Sequence, residues 1–182
     1  MEALDSIREL VKNEAEKSDW DYHIVAVIKY AKILAELFNA NQYVVELAAI
    51  LHDIGRIRFG GKDHDITGVP EAEKIMKDHH ISQDIIDEVT HCIESHMSKK
   101  VSPRTEIAKI ISNADAMAQF DMLPVLFYFR GKKLSFEDTF TWTDEKIQHN
   151  WETRLTIPEA KQMVEEKYKA IKIVLDANRE YI

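Results

Sequence analysis

Apolar residues recur along this chain every three or four positions, the spacing that places them on one face of an α-helix. The clearest stripe consists of Ile24, Val27, Ile28, Ala31, Leu34, Ala35 and Phe38. Shorter stripes predict further helices over residues 3–16, 44–55, 70–78, 82–96, 102–122 and 156–175. The alternating pattern of a half-buried strand is absent from the sequence. We therefore predict an all-α fold, a bundle of helices.

One of these helices ends in an adjacent histidine and carboxylate. The apolar run Leu47–Leu51 continues directly into His52 and Asp53 and stops at Gly55, a residue typical of a helix C-cap. The pattern therefore places His52 and Asp53 in the last turn of a mostly buried helix. Because the C-terminal end of a helix carries partial negative charge, a carboxylate there needs a nearby cation or hydrogen-bond donor. A polar helix end capped by solvent is the alternative.

Three more polar residues fall on apolar helix faces. His23 borders the stripe that begins at residue 24, His96 continues the apolar face of residues 82–96, and Asp115 lies inside the stripe of residues 102–122. A lone histidine in such a position is more often a packed core residue than a ligand. Burial of a free carboxylate is very unfavourable, so Asp115 requires a partner, which is either an arginine or a metal ion.

A further histidine, His64, follows the His52 helix. Gly60 and Gly61 mark this segment as a loop, and the next helix is predicted to start at residues 67–70. A loop histidine is often only solvated, but this one comes directly after a candidate metal site. It therefore joins the candidate ligands.

Six candidate ligands result: His23, His52, Asp53, His64, His96 and Asp115. Imidazoles combined with carboxylates suit divalent Mn, Fe, Co, Ni or Zn, and a site without cysteine is unlike a closed structural zinc site. Six ligands are too many for one ion that must also bind water, so two ions are expected. Asp53, next to His52, is the natural candidate for the carboxylate that bridges them.

Composition narrows the class of protein. The 182 residues, 45% of them hydrophobic, suit one globular domain. The net charge of −8 argues against partners such as a nucleic-acid polymer or a membrane surface, which are bound by basic surface. Cys92 is the only cysteine, which excludes an intramolecular disulfide. With no apolar run approaching ~18 residues and an acidic N-terminus without a signal-peptide pattern, the sequence predicts a cytoplasmic protein.

The order of these residues resembles the HD superfamily of metal-dependent phosphohydrolases over about residues 20–120. The specific motif is the run Leu-His-Asp-Ile-Gly-Arg at residues 51–56. His64 and His96 are similar to the two extra histidines that complete the second metal site in binuclear members. Residues 103–115 resemble a small stand-alone subgroup, although Ala118 stands where its members often have an acid. The Gly-Tyr-Pro run of cyclic-di-nucleotide hydrolases is missing, which argues against cyclic-di-GMP as a substrate.

The resemblance implies a single HD domain over residues 1–182, with a metal-site core at about 20–120 and a helical extension over 121–182. It implies that His52 and Asp53 serve in catalysis, and that up to two Fe, Mn, Ni, Co or Zn ions are bound. The implied reaction is hydrolysis of a phosphate ester, in a nucleotide or another small phosphorylated metabolite, by a metal-activated hydroxide. A diiron oxygenase of the same superfamily and a non-catalytic nucleotide-binding or sensor domain are the alternatives.

Basic residues near the candidate ligands are predicted to contact the substrate. Arg56, directly after the metal motif, is the first candidate for a phosphate contact, and Lys99 is another. His91 shares a polar helix face, so it either lines the outer wall of the site or has no role. Aromatic residues between 126 and 142 could cover the site or support a homodimer.

Overall fold

The computed structural model describes residues 2–98 and 100–179, and within them the chain is helical with no strand. The helices are α1 (Glu2–Glu14), α2 (Val25–Leu37), α3 (Gln42–Leu51), α4 (Ile54–Phe59), α5 (His64–Asp78), α6 (Gln83–Ser95), α7 (Glu106–Asp121), α8 (Leu123–Gly131), α9 (Phe136–His149) and α10 (Pro158–Asn178). π-Helical turns over Asp19–Ile24 and Asn150–Arg154 precede α2 and follow α9. The predicted all-α fold is confirmed.

The central helix is α7, which packs against α2, α3, α6 and α10. Residues 110–120 of this helix are all buried, so α7 has no solvent-facing side over this stretch. A helix buried all round is normally apolar, yet α7 carries Asn113, Asp115 and Gln119 in this stretch. These polar side chains require partners inside the bundle, and Asn113 and Asp115 find theirs in the segment before α10.

The predicted end of the His52 helix is wrong. Helix α3 ends at Leu51, residues His52 and Asp53 form a turn, and Ile54 begins the new short helix α4. Gly55 therefore lies inside α4 and is not a C-cap. Both residues of this turn are buried in the bundle interior.

Gly55 is needed because α4 crosses α5 at very short range. A Cβ atom on Gly55 would lie 2.3 Å from the carbonyl oxygen of His64 and 2.6 Å from the backbone nitrogen of Gly68. Two further predictions about this region are wrong, because α5 already begins at His64. His64 is thus a helix residue and not a loop residue, and the helix predicted to start at 67–70 begins earlier.

Replacing Gly55 by alanine is expected to destabilise the protein by about 3 kcal/mol, because backbone atoms cannot rotate away from an added methyl group. Gly61→Ala is the matched control, since a Cβ there would have no atom within 4 Å. The midpoints of urea unfolding measure both changes. A Gly55→Ala midpoint equal to that of the control would contradict the close crossing.

Among the described residues, no helix combines the length and apolar character needed to cross a bilayer. The 21-residue helix α10 is the longest, and it presents charged side chains along its length.

Candidate metal centre

The six candidate ligands converge on one buried region of the bundle. They come from the turn before α2 (His23), the turn between α3 and α4 (His52, Asp53), the start of α5 (His64), the residue after α6 (His96) and the middle of α7 (Asp115). Each is buried. Their donor atoms fall into two groups within which all atoms lie within 4.8 Å of one another. The first trio is His23, His52 and Asp115, and the second trio is Asp53, His64 and His96.

Three of the imidazoles have a fixed tautomer. Nδ1 of His52, His64 and His96 lies 2.8, 2.9 and 2.6 Å, respectively, from the carbonyl oxygen three residues earlier in the chain. Because a carbonyl oxygen only accepts hydrogen bonds, each Nδ1 carries the hydrogen. In the neutral imidazole, each Nε2 then presents a lone pair to the interior of the site, the form in which histidine binds a metal ion.

Two of these lone pairs face each other, since Nε2 of His64 lies 3.2 Å from Nε2 of His96. Two unprotonated nitrogens at this distance would repel each other unless a cation lay between them. Nε2 of His23 lies 3.1 Å from Nε2 of His52, the same spacing in the first trio. Nitrogen ligands bind Zn²⁺ at about 2.0–2.1 Å, so two of them at roughly a right angle are ~3 Å apart. The donor set therefore fits metal ions in both chemistry and spacing.

Asp53 lies between the two pairs of histidines. Its Oδ1 is 3.3 Å from Nε2 of His64, whereas its Oδ2 is 3.3 Å from Nε2 of His23. His96 and His52 follow the same division, at 3.9 Å from Oδ1 and 3.7 Å from Oδ2. Each carboxylate oxygen thus faces a different pair of histidines, so Asp53 would be placed to hold an ion on either side.

The electrostatics of the site favour the metal-binding protonation states. Burial lowers the pKa of the His52 imidazole and lowers that of His96 to about 3, so both are neutral at physiological pH. Burial raises the pKa of the Asp53 carboxyl, but the nearby His52, His23 and Arg56 outweigh it and hold that pKa well below its usual range. Neutral imidazoles and ionised carboxylates are the forms that bind metal ions.

Asp115 has the arginine partner that was one of the two alternatives, and its second oxygen remains directed at a candidate metal ligand. Its Oδ2 accepts a hydrogen bond from Nη2 of Arg154 at 2.7 Å, while its Oδ1 lies 3.3 Å from Nε2 of His23. Pairing with arginine therefore does not exclude a role as a metal ligand, because Arg154 binds one oxygen of Asp115 and leaves the other available. Sequence reasoning missed Arg154, which comes from the turn after α9, where the neighbouring Glu152 and Thr153 are exposed and no periodic stripe marks it as buried.

The three predicted substrate contacts have different positions. Arg56 lies at the wall of the site, where its Nε donates to Asp53 Oδ2 and another nitrogen donates to Asp19 Oδ1, both at 2.7 Å. Lys99 lies outside the described residues. His91 accepts a hydrogen bond from the backbone nitrogen of Arg104 in a separate shallow depression, so the structure does not bring it to the metal-binding residues.

A cavity of about 790 Å³ opens next to the two trios. Its far wall is formed by residues at the end of α7 and from α8, α9 and the loop between them: Met122, Val125, Leu126, Phe129, Arg130, Lys133, Trp142, Lys146 and His149. The guanidinium of Arg130 stacks on the Trp142 ring at 3.8 Å. Phe129 and Trp142 of the aromatic segment therefore line the cavity, together with basic groups that the sequence did not connect with the site. A cavity of this volume suits a small-molecule ligand.

Comparison with known proteins gives a consistent family assignment. The HD domain model matches residues 20–119 of the chain. Bacillus subtilis YpgQ in complex with ADP is 22% identical, with a TM-score of 0.77 over 98% of this chain and 95% of that one. An HD-superfamily hydrolase of Bacillus thuringiensis is 20% identical, with a TM-score of 0.69 over 97% of this chain and 92% of that one. At these identities the structures share the fold.

A curated relative is the tRNA (cytidine(56)-2'-O)-methyltransferase of Picrophilus torridus, 28% identical over 116 residues. The match covers 56% of this chain but only 32% of that protein, so the chain spans about a third of the relative's length.

Proposed function

The chain belongs to the HD-domain family, and from this premise we propose that it is a metal-dependent phosphohydrolase. Its substrate would be a phosphate ester of a nucleotide or of another small phosphorylated metabolite. The observation that carries the proposal is Asp53, which turns one oxygen to each of two pairs of imidazoles. Two cations held by these residues beside a cavity of substrate size would be suited to catalysing phosphoryl transfer to water.

The residues of the chain divide the work between holding metal ions and binding the substrate. His23, His52 and Asp115 would hold one divalent Fe, Mn, Ni, Co or Zn ion, and Asp53, His64 and His96 would hold the other. When bound, such ions supply Lewis-acid activation of water and of the phosphoryl oxygens. The six side chains are buried, which strengthens the electrostatic interactions among them.

Arg56 is proposed as the first phosphate contact. Its guanidinium is held by Asp53 on one side and Asp19 on the other, which fixes it at the cavity wall. A guanidinium fixed in this way can donate to a phosphoryl oxygen and offset the charge that develops there, without losing side-chain freedom during the reaction.

The wall formed by α8 and α9 supports a nucleotide as substrate. It combines the basic side chains of Arg130, Lys133 and Lys146 with the aromatic side chains of Phe129 and Trp142. Phosphates bind basic groups, and a base can lie against aromatic rings. The YpgQ structure holds ADP in a protein of the same fold.

Lys133→Ala is expected to raise the KM for a phosphorylated substrate roughly tenfold and to leave kcat within about twofold, since one charge-assisted contact contributes on the order of 1.4 kcal/mol. Lys132→Ala is the matched control. Lys132 lies over the Tyr128 ring at 4.1 Å and does not line the cavity. Steady-state kinetics of both variants test this; the same KM in both would contradict the assignment of Lys133 to the substrate side.

The proposal is tested with protein purified without a histidine tag and loaded separately with each of the five metals. Each form is offered nucleoside mono-, di- and triphosphates, sugar phosphates and phosphodiesters, with release of phosphate or pyrophosphate and consumption of oxygen followed in parallel. Metal-dependent hydrolysis is the expected result. Oxygen consumption without hydrolysis would instead identify an oxygenase, and nucleotide binding without turnover would identify a sensor domain.

A further inference from the structure

Arg154 lies directly behind the metal-binding residues. It is only 2% exposed, although arginine is almost never fully buried without a partner. Its Nη2 lies 2.7 Å from Asp115 Oδ2, 2.6 Å from the carbonyl oxygen of His96 and 3.3 Å from that of Ser112. This one nitrogen therefore contacts the side chain of a first-trio residue and the backbone of a second-trio residue.

The other two guanidinium nitrogens of Arg154 make no described hydrogen bond. Nε and Nη1 are buried and have no hydrogen-bond partner among the described residues. A buried arginine placed only for packing would be expected to satisfy more of its five donors. Its described hydrogen bonds are instead concentrated on Asp115 and on the carbonyl groups beside it.

A second contact anchors the segment that carries Arg154. Oδ1 of Asn113 accepts hydrogen bonds from the backbone nitrogens of Thr156 and Ile157, at 2.9 and 3.0 Å. Asn113 lies on α7, two residues before Asp115. The chain just after Arg154 is thus fastened to the helix that carries Asp115, and the guanidinium is held in place before any ligand binds.

Two consequences follow for Asp115. The guanidinium compensates its negative charge inside the protein, where an unpaired carboxylate is strongly destabilising. The guanidinium also binds Oδ2 of Asp115, so that Oδ1 is the oxygen that faces His23. A metal ion at the first trio would therefore meet one carboxylate oxygen of Asp115 and, close behind it, a fixed positive charge.

We propose that Arg154 is a positioning residue that limits Asp115 to one ligand oxygen and competes electrostatically with the metal ion at the first trio. It thereby stabilises the metal-free protein and weakens metal binding at that position. The inference rests on the proposed function, because it requires the first trio to hold a metal ion.

The test uses Co²⁺, whose visible absorption weakens as its coordination number rises, and thermal unfolding with and without Co²⁺. Arg154→Met removes the charge at similar length, and Arg154→Lys retains it. Tyr30→Phe is the control for simple destabilisation. The Tyr30 hydroxyl donates to Asp121 and accepts from Lys167, which ties α2, α7 and α10 together away from the two trios.

Arg154→Met is expected to lower the melting temperature of the metal-free protein and to increase the stabilisation by Co²⁺. It should also tighten Co²⁺ binding at one position at least about tenfold, since the competing charge is gone. The absorption per Co²⁺ should weaken, because both oxygens of Asp115 would then be able to bind the ion. Arg154→Lys should bind Co²⁺ within about twofold of the unaltered protein, because the charge is retained. Tyr30→Phe should lower both melting temperatures equally with an unchanged spectrum.

If Arg154→Met lowers the melting temperatures with and without Co²⁺ by the same amount and leaves the Co²⁺ spectrum unchanged, the inference is overturned and Arg154 is a structural residue. If Arg154→Lys tightens Co²⁺ binding as much as Arg154→Met does, the electrostatic part of the inference is overturned. Should Arg154→Met fail to fold without metal, a Co²⁺ affinity of Arg154→Lys that departs by more than about twofold from that of the unaltered protein still overturns the inference, because the lysine retains the charge. Absence of Co²⁺ binding in the unaltered protein would overturn the proposed function as well, and this outcome is distinct from a failure confined to the variants.

Discussion

Asp53→Asn is expected to lower kcat/KM by at least about 10³-fold, equivalent to ~4 kcal/mol of transition-state stabilisation. The amide retains the size of the carboxylate but loses its charge and one of its two acceptor oxygens. Because each oxygen of Asp53 faces a different pair of histidines, metal binding at both positions should weaken together. Metal content measured by mass spectrometry should fall from about two equivalents to one or fewer.

Asp19→Asn is the control that separates the two roles of Asp53. Both carboxylates bind Arg56 at 2.7 Å, but Asp53 is the one placed between the histidines. If Asp53 acts as a metal ligand, Asp19→Asn should retain full metal content and lose no more than about tenfold in kcat/KM, because only the second anchor of Arg56 is removed. Equal losses in the two variants would mean that Asp53 acts only by holding Arg56.

The second large effect is expected for His96→Gln, with a loss of about 10²–10³-fold in kcat and of one metal equivalent. His96 is buried, and its Nε2 faces that of His64 at 3.2 Å, so glutamine leaves His64 without its paired ligand. The first trio is left intact, and the remaining equivalent should therefore stay bound.

His91→Gln is the matched control for His96→Gln, since His91 lies on α6 five residues before His96. His91 lies in a separate depression beside Arg104, and its replacement should change metal content and activity by less than about twofold. A loss of activity in His91→Gln with full metal content would restore the sequence-based prediction that His91 contacts the substrate. Retention of both metal equivalents in His96→Gln would mean that His96 is only a packed core histidine.

Helical periodicity points three of the six candidate ligands into the bundle. His23, His96 and Asp115 lie on apolar faces, and a side chain on such a face must point into the bundle. What periodicity could not give is where those faces meet. The division of the residues into two trios, with Asp53 between them, depends on the crossing of α4 and α5 and on the turn after α3.

The errors near Gly55 have a common physical origin. The sequence pattern predicts a helix end at Gly55 from the backbone freedom of glycine, whereas the structure requires glycine because a side chain would collide with the backbone of α5. Both requirements select glycine, and a single sequence does not distinguish them. The start of α5 at His64 was hidden in the same way, because the two glycines before it predict a loop.

The residues that sequence reasoning missed come from the segment after α7. Arg154 and the basic groups of the cavity wall are 15 to 39 residues beyond Asp115 in the sequence, and each is an ordinary surface residue by local pattern. Their positions depend on contacts between distant parts of the chain, such as that of Asn113 with the backbone of Thr156. Local pattern carries no information about such contacts.

The most direct test of the account is an anomalous difference map from crystals of metal-loaded protein purified without a histidine tag. The account predicts two peaks per chain, one beside Nε2 of His23 and His52 and the other beside Nε2 of His64 and His96, with the carboxylate of Asp53 between them. A single peak with one pair of histidines unliganded, or metal ions bound only elsewhere on the protein, would contradict it.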